Sequence, residues 1–141
     1  MAIFGSIKKI VNKPSPLQPA VPVQPEPEPE PEPIAVSEIE SSELIARCRS
    51  AAAPRLLDCR EPFEWAQVRI PGSLHIPMND IPARLEELDR EAEWVVVCAH
   101  GNRSVAVAGY LLHHGLRASS LAGGVTDWWM RGGETESDYR R

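Results

Sequence analysis

The run Trp94-Val95-Val96-Val97-Cys98 leaves this chain few folds. It is continuously apolar and β-branched at its centre, with no polar residue in alternate positions. A strand of that kind has to be covered on both faces, which is the situation of a central strand in a parallel sheet. Parallel neighbours need crossover connections, so helices must alternate with strands along the chain.

The rest of the sequence supplies that alternation. Ile34-Ala35-Val36 reads as a short strand. Ser41 or Ser42 is placed to cap a helix running to about Ala51, with Leu44, Ile45 and Cys48 on one face. Leu56-Leu57-Asp58-Cys59 and Ser73-Leu74-His75-Ile76 are brief apolar runs with strand character, the second closed by Pro77. Residues 79–91 carry Ile81, Leu85 and Leu88 at helical spacing. A helix from about Arg103 to His114 ends at Gly115, Ala118 to Leu121 forms a last strand, and a short helix holds Trp128 and Trp129. The expected fold class is α/β with a mostly parallel sheet. In such sheets the ligand site lies beyond the carboxyl ends of the strands. Cys98 closes the strongest strand, so the pattern sets a thiol at that edge.

The segment after it is Ala99-His100-Gly101-Asn102-Arg103-Ser104. A loop curling from strand end to helix start can aim several backbone N–H groups at one point, and such a nest favours an anion. A cysteine there should have a lowered pKa and be a ready nucleophile. Gly101 frees the backbone for a conformation other residues avoid. Arg103 is expected to put a positive charge at the rim, and Asn102 and Ser104 are natural capping residues.

These blocks together resemble the rhodanese-like sulfurtransferases over roughly residues 35–131. The matching pieces are Leu57-Asp58-Cys59-Arg60-Glu61 with Phe63-Glu64-Trp65, Ile70-Pro71-Gly72-Ser73-Leu74-His75-Ile76-Pro77, Val95 through Ser104, and Leu121-Ala122-Gly123-Gly124-Val125 through Trp128. The resemblance implies a single domain with about five parallel strands flanked by helices. It also implies that Cys98 accepts a sulfane sulfur and holds it as a persulfide, with Ala99 to Ser104 as the substrate-binding loop. Asp58 and Arg60 would support that loop as a scaffold ion pair. The implied donors are thiosulfate or a persulfide and the implied acceptor is a thiol, with no metal and no organic cofactor. Four positions depart from the family's habit: Ala99 stands where an arginine is frequent, Val68-Arg69 where Gly-His is usual, and Cys59 where valine is common.

A thiol phosphatase or arsenate reductase is the chief rival on a similar fold. Those enzymes place five residues between cysteine and arginine, whereas four separate Cys98 from Arg103. The shorter loop resembles the sulfurtransferase type, which is too tight to cradle a phosphoryl group. A second function class is a tethered sulfur-relay or protein-interaction module with little turnover of its own.

Composition organises what surrounds this core. Nine of the fourteen prolines lie in residues 14–33, which contain a Pro-Glu repeat and almost no large side chains. Alternate prolines remove donors and fix φ, so this stretch should be a polyproline II linker reaching roughly 60 Å. Residues 1–13 hold every lysine of the chain and place Ile3, Phe4, Ile7, Ile10 and Val11 on one helical stripe. That short basic segment reads as a tether to an anionic membrane surface, as a docking peptide, or as a frayed start without a role. The domain is expected over residues 34–131, followed by a polar tail over 132–141. The net charge is −5 and the core segment is itself acidic, which argues against nucleic acid as a partner. Three cysteines and no signal-peptide pattern suggest a reduced cytoplasmic protein, with peripheral membrane contact through residues 1–13 as the second expectation.

The remaining residues of chemical interest carry plainer readings. His100 is read equally as a substrate contact or as a solvated loop residue. His75, His113 and His114 read as structural or surface groups, without metal-ligand spacing to the cysteines. Cys48 is expected in the core. Cys59 is expected beside the Cys98 strand, as packing or as a resolving thiol.

Overall fold

The computed structural model describes residues 5, 12–30 and 32–139. Residues 12–30 form neither helix nor strand and are exposed throughout. The apolar stripe expected in residues 1–13, Ile3, Phe4, Ile7, Ile10 and Val11, lies outside the described residues. The chain divides into two units, Met1–Pro31 and Glu32–Arg141.

The second unit alternates strand and helix. Strands β1 (Glu38–Ile39), β2 (Arg55–Asp58), β3 (Leu74–His75), β4 (Glu93–Val97) and β5 (Arg117–Leu121) form one sheet in the order β1-β5-β4-β2-β3. Every pairing in it is parallel. The α-helices are α1 (Ser41–Cys48), α2 (Pro62–Gln67), α3 (Ile81–Arg84), α4 (Asn102–His113) and α5 (Gly124–Met130).

β4 sits at the centre because its side chains are apolar on both faces. Trp94, Val96 and the following Cys98 pack with Leu57, Cys59 and the α4 residues Val107, Ala108 and Leu111. Val95 and Val97 point the other way, onto Leu44 of α1 and Val125 and Trp128 of α5. Val95, Val96 and Val97 are fully buried. Burying a side chain of this size contributes about 1.5–3 kcal/mol, so this pentapeptide anchors both layers.

Several boundaries differ from expectation for physical reasons. The first strand is Glu38–Ile39 and not residues 34–36, because the edge of β5 pairs Glu38 with Ser120 and Ile39 with Leu121. Ile39 is buried there while Ile34 stays exposed. Residues 79–91 do not form one helix. A 3-10 turn at Met78–Asp80, the single turn of α3 and a second 3-10 turn at Leu85–Glu87 follow one another. Pro82 lies within that segment and has no amide to donate. The apolar side is as expected, with Ile81 and Leu88 buried. α2 has no apolar stripe that would announce it, but begins with Pro62 and a capping box between Glu61 and Glu64. Neither Ser41 nor Ser42 caps α1; Glu40 occupies the cap position and the buried Ser41 hydroxyl has no partner. Cys48 is exposed at the end of α1, not in the core, because the helix stops there.

Residues 132–139, read above as a polar tail, lie against the domain. Arg69 and Glu136 exchange backbone hydrogen bonds of 2.9 Å each, and the Arg69 guanidinium pairs with Glu136 and Asp138. Trp128 donates its indole N–H to the Glu134 carbonyl at 2.9 Å. Trp128 is thus a core plug, whereas Trp129 is exposed.

Candidate active site

β4 ends at Val97, so Cys98 is the first residue past the strand and opens the loop to α4. The thiol is 1 % exposed. The Gly101 amide donates to Cys98 Sγ at 3.0 Å. Burial pushes the thiol up, but the Ser104 hydroxyl and the amides of Ser104, Gly101 and His100 outweigh it, leaving Cys98 below the ordinary thiol value.

Two glycines make this loop possible. Gly101 has φ +98 and caps α4, so its amide turns inward. Gly124 has φ +62, and a Cβ there would run into the backbone of Cys98 and Ala99. That close approach lets the Val125 and Thr126 amides donate to the carbonyls of Cys98 and Ala99 at 2.9 and 3.2 Å. The start of α5 therefore holds the loop from beneath.

Ser104 does not cap the helix. Its buried hydroxyl lies 3.3 Å from Cys98 Sγ and 2.6 Å from the Ser120 hydroxyl. Ser120, fully buried on β5, was not singled out from the sequence. A lone serine in a strand carries no local signal of the partner it will meet. Asn102 is exposed and is the first residue of α4; Gly101 takes the cap position expected of it. His100 is exposed at the loop tip, and Ala99 is half-buried.

Arg103 does not present a free charge at the rim. Its Nη1 and Nη2 donate to the two carboxylate oxygens of Glu64 at 2.8 and 2.7 Å. The Arg103 guanidinium holds the Glu64 carboxyl at about 2. Nothing local in the sequence marks Glu64 for this role, since 39 residues separate it from Arg103.

Asp58 and Arg60 form a buried ion pair at 2.7 Å, with side chains 1 % and 3 % exposed. Arg60 also donates from Nη1 and Nη2 to the carbonyls of Glu64 and Val68, at 3.4 and 2.6 Å. The pair thus ties the end of β2 to α2, the helix that carries Glu64. His75 stacks on Trp65 at 4.7 Å and bonds the Arg60 carbonyl at 2.8 Å, which makes it part of the same brace.

Cys59 follows β2, and its amide donates to Val97 O at 3.0 Å, which sets it beside the Cys98 strand. Burial pushes its thiol up to about 12. A cavity of about 250 Å³ adjoins the loop at Ala99, bounded by Arg60, Val68, Val125, Thr126 and Trp129. The whole arrangement can hold a thiolate, or a further anion attached to it, against converging donors.

Comparison with known proteins bears on what that thiolate does. The family model described as "Rhodanese-like domain" matches residues 40–131. A protein of Allochromatium vinosum named "Sulfurtransferase" is 37 % identical over 98 residues, covering 69 % of this chain and 92 % of that protein. The "Thiosulfate sulfurtransferase GlpE" of Pseudomonas fluorescens is 36 % identical over 74 residues, covering 52 % of this chain and 68 % of that protein. The crystal structure of a rhodanese-related protein from Thermoplasma volcanium superposes with a TM-score of 0.67 at 32 % identity, covering 71 % of this chain and 97 % of that one.

Proposed function

Because this chain belongs to the rhodanese-like domain family, we propose that it is a sulfurtransferase that carries sulfane sulfur as a persulfide on Cys98. The observation that carries this reading is the convergence of the Gly101 amide at 3.0 Å and the Ser104 hydroxyl at 3.3 Å on one buried sulfur. Both groups stabilise a thiolate, the nucleophilic form.

In the first half-reaction the Cys98 thiolate attacks the outer sulfur of the donor. With thiosulfate, the S–S bond breaks and sulfite leaves with the electron pair, so Cys98 keeps one extra sulfur. The negative charge then sits on the outer sulfur, further into the loop, where the remaining amides act on it. In the second half-reaction an acceptor thiolate attacks that outer sulfur, takes it as its own persulfide, and returns Cys98 as a thiolate. No electron is gained or lost from outside.

The loop of Ala99 to Ser104 supplies the anion nest, and the Asp58–Arg60 pair keeps it in place through α2. Residues 34–131 make up the catalytic domain of this reading, with 14–33 as a spacer and 1–13 as a tether to a membrane surface or a partner protein. Among the described residues no helix is long and apolar enough to cross a membrane.

An intact-mass measurement after incubation with thiosulfate tests the assignment. One added sulfur, removed by a reductant and absent in Cys98→Ser, is the expected result. Sulfur that still loads onto Cys98→Ser overturns it.

A further inference from the structure

The contact between Glu64 and Arg103 bears on which donors the loop accepts. Arg103 stands on the first turn of α4, close enough to Cys98 for the two charges to act on each other. A free guanidinium there would attract an anionic donor. Both of its Nη atoms are instead engaged by Glu64, at 2.8 and 2.7 Å.

The carboxylate is held there by more than Arg103. Glu64 Oε2 also accepts the Glu61 amide at 2.9 Å, as part of the capping box of α2. α2 in turn is fastened by Arg60, whose guanidinium reaches the carbonyls of Glu64 and Val68 and is itself clamped by Asp58. Displacing Glu64 from Arg103 would therefore break a cap and strain an anchored helix. The pair is also only partly open to solvent, with side chains 34 % and 17 % exposed. The carboxyl is held at about 2, so it is ionised wherever a thiolate can work.

We infer that Glu64 sets donor selectivity: by neutralising Arg103 it makes a small dianion such as thiosulfate a weak donor and leaves organic persulfides, with at most one charge, as the favoured class. This rests on the reading of Cys98 as the sulfur carrier. A dianion entering the loop meets the amides but gains no net attraction from the rim, and it approaches a fixed carboxylate. An organic persulfide has no second charge to be met. Its carbon portion has a neighbour of suitable character in the cavity at Ala99, where Val68, Val125 and Trp129 supply apolar surface. The balanced step is attack of the Cys98 thiolate on the outer sulfur of R–S–SH. The old S–S bond breaks, the thiolate RS⁻ leaves, and Cys98 holds the persulfide with its proton.

Glu64 acts through Arg103 and is a positioning residue, so the test separates binding from chemistry. Steady-state kinetics of the full chain are measured with thiosulfate and with a small alkyl persulfide, for the wild type, Glu64→Gln and Glu64→Asp. At low salt Glu64→Gln should lower the thiosulfate KM roughly five- to tenfold, the worth of one partly exposed charge. The ratio of kcat/KM for thiosulfate to that for the alkyl persulfide should rise by the same factor, and Glu64→Asp should restore the wild-type ratio. An unchanged ratio in Glu64→Gln overturns the inference. The wild type alone supplies a second measurement: with a neutralised rim, its thiosulfate KM should change little between low and moderate salt. A steep rise with salt would reveal Arg103 as a free cation and overturn the inference even if Glu64→Gln did not fold. Should intact mass show that the wild type loads sulfur from neither donor, the Cys98 reading itself fails and this inference falls with it. Loading from both with an unchanged ratio sinks the inference alone.

Discussion

Ser120 Oγ lies 2.6 Å from Ser104 Oγ, and both hydroxyls are buried behind the Cys98 sulfur. Ser104 has one proton to give. The Cys98 thiol donates to Ser104 Oγ at 3.3 Å; once it is ionised, and with Ser120 donating to Ser104, the Ser104 proton turns to Sγ. A hydrogen bond to a charged group is worth about 1.5–3 kcal/mol, and each pKa unit corresponds to about 1.4 kcal/mol. Removing the Ser104 hydroxyl should therefore raise the Cys98 pKa, because a group that lowers it is lost. The thiolate fraction falls on the acid side of the new value. Ser104→Ala should shift the midpoint of the pH profile for alkylation of Cys98 upward, and Ser120→Ala should shift it upward by less. A midpoint unmoved in Ser104→Ala would show that the amides alone set the thiolate.

Asp58 and Arg60 should matter for stability more than for the chemical step. Asp58→Ala leaves the Arg60 guanidinium buried without its counter-charge, which costs about 3–5 kcal/mol. Urea unfolding followed by fluorescence measures the loss. Because Arg60 also fastens α2, the surviving folded fraction should bind thiosulfate with an altered KM. A loss below about 1 kcal/mol would mean that Arg60 finds water or another acceptor.

Ala99→Arg should lower the thiosulfate KM by less than or about tenfold and leave kcat similar. Ala99 borders a cavity whose other lining residues, Arg60, Val68, Val125, Thr126 and Trp129, include no carboxylate, whereas Arg103 is held by Glu64. A partly exposed charge contributes on the order of 1 kcal/mol to capture of a dianion, and the effect falls on binding. Steady-state kinetics at low and moderate salt check it. A thiosulfate KM that does not respond at low salt would make Ala99 irrelevant to donor charge.

Deleting residues 1–33 should leave the melting temperature nearly unchanged. Residues 14–33, with nine prolines and almost no large side chains, cannot pack on a sheet, and the one apolar stripe of residues 1–13 is too short to build a core. Thermal unfolding of the full chain and of residues 34–141 gives the comparison. A drop of many degrees would mean that the deleted segment packs on the domain.

Much of this protein follows from local sequence pattern. The uninterrupted apolar run from Trp94 to Val97 demanded a strand buried on both faces, and the alternation around it demanded a parallel sheet. Gly115 marked the end of α4 and Gly101 a special backbone position in the loop before it, and both adopt positive φ there. These features are legible because they depend on neighbours a few residues away, through side-chain periodicity and backbone freedom. The tertiary structure decided what lies opposite each group. β5 chose the register that made Glu38–Ile39 the edge strand. The sheet order brought Ser120 to Ser104, 16 residues away, and the brace at Arg60 brought Glu64 to Arg103 across 39. Arg103 read alone is a free positive charge, and Ser104 read alone is a helix cap. Each changed its meaning because a hydrogen bond or an ion pair is made with whichever partner the packed chain places within reach, and sequence distance does not record that.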